Sequence, residues 1–411
     1  LAFHTPHYDL RQWALLGADG WDSREVRALA DAVFNRISGG EHEPRHPIAA
    51  AFVDAAMRCG YQQQSLAHWD IGEGVGWLNI TSRGGVRQSA SVSYLHPLTG
   101  LPANLRLRTE VFAEKVVFND KGRAIGVLAG GETLAARREV VLCAGAIGSA
   151  KLLLLSGVGP AQHLRDLGID VVADSAGVGE NLQDHVEGLV MVEASRPFPK
   201  PTSHGWEAAV FACSEPDMAA PDIQIHFGTE GYDMNTRELG MPSPEYAVTL
   251  APNVARPASR GTVQLRSPDP TAPPRVDPRY FSDADGHDER VMLAAMRVAR
   301  RIAATSPLQD WLGLEIAPGS GAQSDQDVLA FLRQAHGSVF HPAGTCRIGA
   351  ASDPRAVVDP SLRVYGVTAL RVADASVFPT LVGVNPCVTS MMVGERAASL
   401  IRARSLSISE E

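Results

Sequence analysis

A buried strand that runs directly into a small-residue turn and an apolar helix is the feature that most constrains this chain. The strand covers Val140–Cys143, and residues 144–151 continue as Ala-Gly-Ala-Ile-Gly-Ser-Ala-Lys. Glycines at such a corner allow close backbone approach, either by a cofactor phosphate or ribose or by the packed helix itself. On its own the corner favours the packing alternative by about two to one. Neither a GxGxxG nor a Walker loop occurs in the sequence, and Gly72–Gly76 has the wrong spacing.

Hydrophobic periodicity and capping residues predict the elements around this corner. The predicted helices are residues 24–37, residues 48–59, a stripe over residues 291–302, and a helix capped by Ser324 and Asp327 that ends near Gly337. An antiparallel meander is predicted over residues 105–141 and a strand over residues 369–373. Residues 1–22, which are punctuated by glycine and tryptophan, are predicted to form a loop.

Composition and charge exclude several classes of protein. The chain has 411 residues, of which 45% are hydrophobic and 20% are charged, as in an ordinary globular protein. The net charge of -9 argues against a nucleic-acid partner. No run of about 18 apolar residues is present, so no membrane span is expected. The five widely spaced cysteines lack a CxxC pair and predict reduced thiols in a cytoplasmic protein.

One apparent metal motif is rejected on stereochemical grounds. His42-Glu43-Pro44-Arg45-His46 matches the HExxH pattern of zinc enzymes. That pattern needs both histidines one turn apart on a helix, and Pro44 inside the turn removes a hydrogen-bond donor and clashes with the preceding turn. We therefore expect a polar loop here and no metal site.

Two segments near the C-terminus hold the best candidates for catalysis. His341 lies between the apolar Val339 and Phe340 and a rigid Pro-x-Gly-Thr turn, which would hold its ring in place. A lone histidine of this kind is more often structural than catalytic. Asn385 precedes Pro386 where a helix must begin. Capping of that helix would therefore be enough to explain the residue, without any catalytic role.

Four segments together give the chain a resemblance to the glucose-methanol-choline (GMC) oxidoreductase family. Within that family the chain is most similar to the choline-oxidising branch, and the resemblance covers essentially all of its length. The segments that carry it are Gly145–Pro160, Gly177–His185, Ser338–Gly349 and Leu370–Ser376.

The resemblance implies a mixed α/β fold with two interleaved domains. A GMC-type FAD-binding domain would comprise residues 1–29, 71–186 and 339–411. An antiparallel-sheet substrate-binding domain would comprise residues 30–70 and 187–338. The N-terminal βαβ unit that carries GxGxxG in the family is missing from this chain. Because the chain starts at Leu1 in the middle of the pattern, we expect that an N-terminal part has been lost and that these residues alone bind FAD weakly.

The resemblance also implies roles for individual residues. His341 and Asn385 match the catalytic pair of the family. The residues that match its substrate pocket are Glu187, Trp206, His226, Tyr232, Val339 and Phe340. The residues expected to contact FAD are Val111, Ala144, Gly145, Asp374, Ala375, Asn385 and Pro386. Without the resemblance, Glu187 could be a surface carboxylate, Trp206 and Tyr232 ordinary core, and Asp374 the cap of a turn.

The implied activity is FAD-dependent oxidation of choline, or of a related quaternary-amine alcohol, to betaine aldehyde and betaine. Hydride would pass to the flavin and O₂ would be reduced to H₂O₂, in a homodimer by analogy with the family. One alternative is a GMC dehydrogenase that passes electrons to a quinone or another carrier, and a neutral alcohol is a further possible substrate. The second alternative is a truncated remnant without flavin that retains a binding role.

Overall fold

The computed structural model describes residues 1–408, with side chains through residue 403. The helices are α1 (His7–Leu15), α2 (Arg24–Ile37), α3 (Pro47–Arg58), α4 (Gly145–Leu155), α5 (Ala161–Asp166), α6 (His287–Ala303), α7 (Asp325–Ala335) and α8 (Cys387–Ile408). The strands are β1 (Gly74–Trp77), β2 (Ser82–Arg83), β3 (Val86–Arg87), β4 (Ala113–Phe118), β5 (Ala124–Ala129), β6 (Glu132–Ala135), β7 (Val140–Leu142), β8 (Val158–Gly159), β9 (Ala173–Asp174), β10 (Val186–Glu187), β11 (Val190–Ala194), β12 (Trp206–Ala212), β13 (Ile223–Gly228), β14 (Ala247–Val254), β15 (Thr262–Gln264), β16 (Arg275–Asp277), β17 (Leu312–Ala317), β18 (Gly337–Ser338) and β19 (Leu370–Val372).

An eight-stranded antiparallel sheet forms the larger scaffold. Strands β1, β12, β13 and β14 follow one another across it. β10 and β11 both pair with the far edge of β14, and they pair in turn with β18 and β17. Because side chains alternate across a strand, the two faces of this sheet pack against different parts of the chain.

The two faces of the sheet border two hydrophobic cores. Ala208 and Val210 of β12 belong to a helix-covered core that includes buried residues of α3, α6 and α7. Ala209 and Phe211 of the same strand belong to the other core, which contains β7, α4 and β19 and which we call the parallel-pair core. This alternation means that one strand contributes side chains to both cores.

The parallel-pair core is named for β7 and β19, which lie side by side in parallel. Val140 pairs with Leu370 and Leu142 with Val372. Parallel strands bring their carboxyl ends to one edge, so the start of α4 and the segment after β19 are neighbours. The backbone N–H of Gly145 donates to the carboxylate of Asp374 over 3.0 Å.

Most predicted elements are confirmed. α2 has the predicted bounds, α3 differs by one residue at each end, and α6 contains the predicted stripe. α7 begins with the predicted capping box, in which Ser324 and Asp327 exchange hydrogen bonds. The mixed α/β fold class is therefore confirmed.

Two predictions about local structure are wrong. Residues 1–22 were expected to form a loop, but His7–Leu15 is a helix whose Leu10 and Trp13 are fully buried. The meander is shorter than expected: β4, β5 and β6 form it over residues 113–135. β7 leaves the meander because its apolar side chains pair with β19 in the core, and that partner is more than 200 residues away.

Other sequence expectations concern sites and boundaries. Residues 42–46 form no helix, and His46 instead caps the start of α3 with Nδ1. All five cysteines are free. In the described part of the chain no helix is long and apolar enough to cross a bilayer, and no group of three metal-binding side chains is found. The division into two domains stays a prediction, and the last three residues of its 339–411 segment lie outside the described residues.

Candidate active site between the two cores

The chain passes between the two cores at two segments that lie side by side. Val186 of β10 pairs with Ser338 of β18 in an antiparallel register, and Glu187 pairs with Gly337. The backbone N–H of Val339 then donates to the carbonyl of His185 over 3.2 Å. The segment that carries Glu187 and the segment that carries His341 therefore form one short ladder.

Asp184 fastens these two segments together. Its carboxylate accepts the backbone N–H of His341 at 2.9 Å and the hydroxyl of Tyr280 at 2.5 Å, and it also accepts the hydroxyl of Ser338. Burial raises the pKa of Asp184, and the hydrogen bonds from Ser338 and Tyr280 oppose that rise. The result is a buried anchor that fixes the backbone of His341.

The hydrogen bonds around His341 determine which of its ring nitrogens carries the proton. His185 Nε2 lies 3.0 Å from the carbonyl oxygen of Ala255, so it must donate there. In a neutral ring, His185 Nδ1 is then an acceptor, and it lies 2.8 Å from His341 Nδ1. His341 Nδ1 must therefore hold the proton, which leaves the lone pair on Nε2.

Asn385 lies next to that lone pair. Its Nδ2 donates to His341 Nε2 over 3.2 Å. Its Oδ1 accepts from Gln224 Nε2 at 3.1 Å and lies 3.3 Å from His226 Nε2. Because the oxygen is bonded to these two side chains, Asn385 does not act as the cap of α8 in the described contacts, contrary to that alternative.

The loop before Asn385 is held from both sides. The buried carboxylate of Asp9 in α1 accepts the backbone N–H of Gly383 over 2.9 Å and forms an ion pair with Arg256. The side chain of Gln183 accepts the backbone N–H of Leu381 over 3.1 Å. A side chain at residue 383 would bring its Cβ within 2.5 Å of the Arg256 guanidinium and would displace it from its place beside Asp9.

Burial keeps the histidines of the site neutral. It lowers the pKa of His341 well below 6.5, and repulsion from His185 and His226 acts in the same direction. Burial also lowers the pKa of His185 to about 3 and that of His226 to about 4. At neutral pH all three rings are uncharged, so His341 Nε2 is able to accept a proton.

A cavity of about 190 Å³ opens beside this pair. All six residues that were predicted to bind substrate line it: Glu187, Trp206, His226, Tyr232, Val339 and Phe340. Asn385 lines it as well. Pockets for drug-sized ligands span about 300–1,000 Å³, so this cavity suits a molecule of only a few heavy atoms.

A carboxylate and aromatic rings form part of the cavity wall. Glu187 is only 6% exposed, and its pKa is raised to about 8, first by burial and then by the charge of Asp184. The ring of Trp206 meets that of Tyr232 edge to face, with centroids 5.9 Å apart. Burial, followed by the charge of Glu187, raises the pKa of Tyr232.

Phe340 forms the rim of the cavity. Its side chain is 70% exposed and its backbone has a φ of 61°, which is uncommon for a bulky residue. Its N–H donates to the hydroxyl of Ser338 over 2.8 Å. This turn directs the next residue, His341, inward while Phe340 faces outward.

Four of the seven residues that were predicted to contact FAD lie at the carboxyl ends of β7 and β19: Ala144, Gly145, Asp374 and Ala375. Ala144 is exposed and gives α4 no side-chain cap, and Gly145 has a φ of 77° with open space where a Cβ would point. Asp374 accepts from Gly145 and from the hydroxyl of Ser149. Small residues with open space beside Gly145 fit the close approach of a dinucleotide cofactor at this edge.

Ala375, Pro386 and Val111 lie in three different segments of the chain. Ala375 directly follows Asp374, whose carboxylate caps the short helix Ala375–Val377 through Ser376. The carbonyl of Pro386 accepts the N–H of Ser390 in the first turn of α8. Val111 lies in the irregular segment before β4, where its side chain is 37% exposed.

Sequence reasoning missed four residues that position the site. Asp184 and His185 were part of a quoted family segment, Gly177–His185, but no role was derived for either. Tyr280 and Gln224 gave no signal, because each reaches the site from a distant strand or loop. Only the contacts with Asp184 and Asn385 reveal them.

Comparisons with known proteins agree with this geometry. Sequence models of the GMC oxidoreductase family match residues 1–187 and 257–394. Choline oxidase of Arthrobacter globiformis is 44% identical over 427 residues, which cover 98% of this chain and 78% of that protein. The oxygen-dependent choline dehydrogenase of Rhizobium johnstonii is 37% identical over 433 residues, covering 96% and 77% of the two chains.

Solved structures show the same fold. Pyridoxine 4-oxidase from Mesorbium loti superposes with a TM-score of 0.84 at 25% identity, covering 97% of this chain and 81% of the other. Formate oxidase from Aspergillus oryzae RIB40 superposes equally well at 22% identity, covering 98% and 82%. Fold and site thus define the class of FAD-dependent alcohol oxidoreductases. Within that class the chain belongs to the GMC oxidoreductase family.

Proposed function

We propose that this protein oxidises choline, or a closely related quaternary-amine alcohol, with FAD as hydride acceptor and O₂ as the final oxidant. One observation carries the proposal: a single small cavity is lined by a buried carboxylate, Glu187, and by Asn385, whose amide is bonded to the neutral ring of His341 directly behind it. The two relatives named above are choline-oxidising enzymes by name, which supports the same substrate.

The Glu187 end of the cavity suits a quaternary ammonium. Such a group has no N–H to donate, so only opposite charge and aromatic faces can recognise it. Each aromatic face contributes about 0.5–2 kcal/mol in a desolvated setting. Glu187 adds a Coulomb attraction of about 4 kcal/mol at 4 Å when the effective dielectric constant is about 20.

The His341 end suits removal of a hydroxyl proton. The substrate hydroxyl replaces the Asn385 N–H at His341 Nε2, and the lone pair there accepts the proton as hydride leaves the adjacent carbon. His341 Nδ1–H stays bonded to His185, which keeps the ring in place as it becomes charged. Asn385 Nδ2 donates to the oxygen that develops negative charge. General base catalysis of this kind contributes about 10² to 10⁴ in rate.

FAD, when bound, supplies the two-electron acceptor for the hydride. Ala144, Gly145, Asp374 and Ala375 would hold it at the carboxyl ends of β7 and β19. Asn385 and Pro386 would face it from the start of α8, where the helix dipole favours negative charge. For Val111, contact with FAD rests on the family resemblance alone.

The electron acceptor separates this proposal from its nearest alternative. An oxidase returns the electrons to O₂ and forms H₂O₂, whereas a dehydrogenase passes them to a quinone or another carrier. The names of both relatives refer to oxidation or to oxygen, which supports O₂. We also propose, from the family resemblance, a cytoplasmic homodimer with the interleaved domains described above; the five free thiols support the reducing compartment.

The test is oxygen consumption by the flavin-containing protein with choline, compared with its neutral isostere 3,3-dimethylbutan-1-ol. We expect choline to be oxidised with stoichiometric H₂O₂ and the isostere to need a much higher concentration. Equal preference for the two alcohols would overturn the choice of a cationic substrate. Turnover only with an added quinone would overturn the choice of O₂, and no turnover of any alcohol would favour the remnant alternative.

A further inference from the structure

A buried glutamine beneath the floor of the cavity contacts the candidate catalytic amide. Gln224 lies on β13 two residues before His226, so both side chains point to the same face of the sheet. It is fully buried and donates from Nε2 to Asn385 Oδ1 over 3.1 Å. It does not line the cavity, so its effect on substrate can only pass through Asn385.

Gln224 belongs to a polar row that crosses three strands. It pairs in register with Asn253 of β14, and Asn253 pairs in register with Glu187 of β10. Directly opposite residues in an antiparallel pair have Cβ atoms about 4.5–5.5 Å apart on the same face. The row therefore leads from the carboxylate at one end of the cavity towards the amide at the other.

Burial of this row costs desolvation free energy, which argues against a role limited to packing. Asn253 is fully buried, and neither its Oδ1 nor its Nδ2 has a hydrogen-bond partner in the described part of the chain. Gln224 Oε1 also has none. Unpaired buried polar atoms destabilise a fold, so their presence here calls for a role other than stability.

The orientation of the Asn385 amide supplies that purpose. With Oδ1 towards Gln224 and His226, Nδ2 faces His341 Nε2. If the amide turned over, its oxygen would face the lone pair of His341, and its N–H groups would face the N–H donors of Gln224 and His226. His226 can change tautomer to accept such a bond, whereas Gln224 Nε2 can only donate.

We propose that Gln224 is a positioning residue that fixes the Asn385 amide with its nitrogen towards His341. Gln224 thereby acts together with His185, which accepts from His341 Nδ1, to keep the proton off His341 Nε2, the atom that must accept the substrate proton. The inference deepens the proposed function and rests on it for the identity of the reaction.

Two substitutions test it. Gln224→Met keeps the length of the side chain but removes the donor. We expect kcat to fall about 3- to 30-fold, the range for losing one hydrogen bond and leaving its acceptor buried, while KM for choline changes little. The exposed Gln334 of α7 provides the control, because Gln334→Met alters the same chemistry far from the site.

Gln224→Glu supplies a readout that a purely structural role would not move. The introduced carboxyl is fully buried, so its pKa is raised, and it donates to Asn385 Oδ1 only while protonated. We therefore expect near wild-type kcat at low pH and an added loss as pH rises, which neither wild type nor Gln224→Met shows. Equal kcat in all three proteins at every pH would overturn the proposal.

The ¹⁵N NMR signals of His341, assigned with His341→Gln, separate this inference from the proposed function. In wild type we expect a proton on Nδ1 and none on Nε2; in Gln224→Met a larger share of rings should carry it on Nε2. If the tautomer shifts but wild type does not oxidise choline, the proposed function fails and the inference stands. If choline is oxidised but neither tautomer nor kcat responds to Gln224→Met, the inference fails alone.

Discussion

The two ends of the cavity are built on opposite principles. At the recognition end, Glu187 is buried and forms no ion pair within the described chain, and aromatic rings face the space beside it. At the reacting end, His341 and Asn385 are bonded to His185, Gln224 and His226. The unpaired carboxyl of Glu187 binds a cation in its ionised form, whereas the paired neutral groups have their orientation and tautomer set before the ligand binds.

The largest effect is expected at the reacting end. His341→Gln removes the lone pair that accepts the substrate proton, so we expect the limiting rate of flavin reduction to fall by about 10²- to 10⁴-fold. The half-saturating choline concentration should change little, because Glu187 is untouched. Stopped-flow absorbance of the flavin measures both quantities.

His163→Gln, at a partly buried position of α5 outside the cavity, is the matched control, and it should behave as wild type. If His341→Gln raised the half-saturating concentration but kept the limiting rate, the roles of the two ends would be reversed.

A smaller effect is expected from Glu187→Gln at the recognition end. Loss of the carboxylate removes a Coulomb attraction of about 4 kcal/mol, of which part is offset by desolvation, so we expect KM for choline to rise about 10- to 100-fold. The neutral isostere 3,3-dimethylbutan-1-ol serves as control, since its KM should stay nearly constant. An equal rise in KM for both alcohols would mean that Glu187 shapes the cavity and does not bind a cation.

The raised pKa of Glu187 makes recognition dependent on pH. The carboxyl titrates at about 8 in the free protein, above its usual 4.5, and choline binds its ionised form. Proton and choline therefore compete, and the dissociation constant of choline should rise by up to about tenfold per pH unit below 8. The neutral isostere should show no such slope in the same flavin titration.

The carboxyl of Glu187 should also make the stability of the fold depend on pH, and the direction of that dependence follows from its raised pKa. The neutral carboxyl stabilises the ligand-free fold fully below pH 4.5, and that contribution is lost as pH rises through about 8. Choline should restore it, so the rise in Tm that choline causes should grow with pH in wild type. In Glu187→Gln this growth should be absent.

Sequence alone predicted the pieces of this site better than their connections. The six pocket residues and the pair His341–Asn385 were named from the family resemblance; the structure places the six residues and Asn385 around one cavity, with His341 bonded to Asn385. α2 and α3 could be predicted because their periodicity and caps are local. α1 was missed because its tryptophan and flanking glycines resemble a loop, although tertiary burial of Trp13 stabilises the helix.

The connections could not be predicted for a physical reason. The bond between Gln224 and Asn385 joins residues 161 positions apart, and that between His185 and His341 joins residues 156 apart. Neither leaves a pattern in the local sequence, since each depends on strand register and on which ring nitrogen carries a proton. The recognition end can be predicted from the types of its residues. The reacting end also depends on how its side chains are oriented, and the fold determines those orientations.

The smallest effect is expected at the aromatic wall of the recognition end. Trp206→Leu keeps an apolar side chain but removes the ring face, so we expect KM for choline to rise about 3- to 10-fold with an unchanged limiting rate. Trp311→Leu, outside the cavity, is the control. A fall in the limiting rate without a change in KM would place Trp206 at the reacting end instead.

The most direct test of the division between the two ends needs no substitution. Flavin reduction in the wild-type protein is followed by stopped flow with choline and with 3,3-dimethylbutan-1-ol at pH 9, where Glu187 is ionised. The account predicts limiting rates within about tenfold of each other and half-saturating concentrations that differ by about 100-fold. Equal half-saturating concentrations with widely different limiting rates would contradict it.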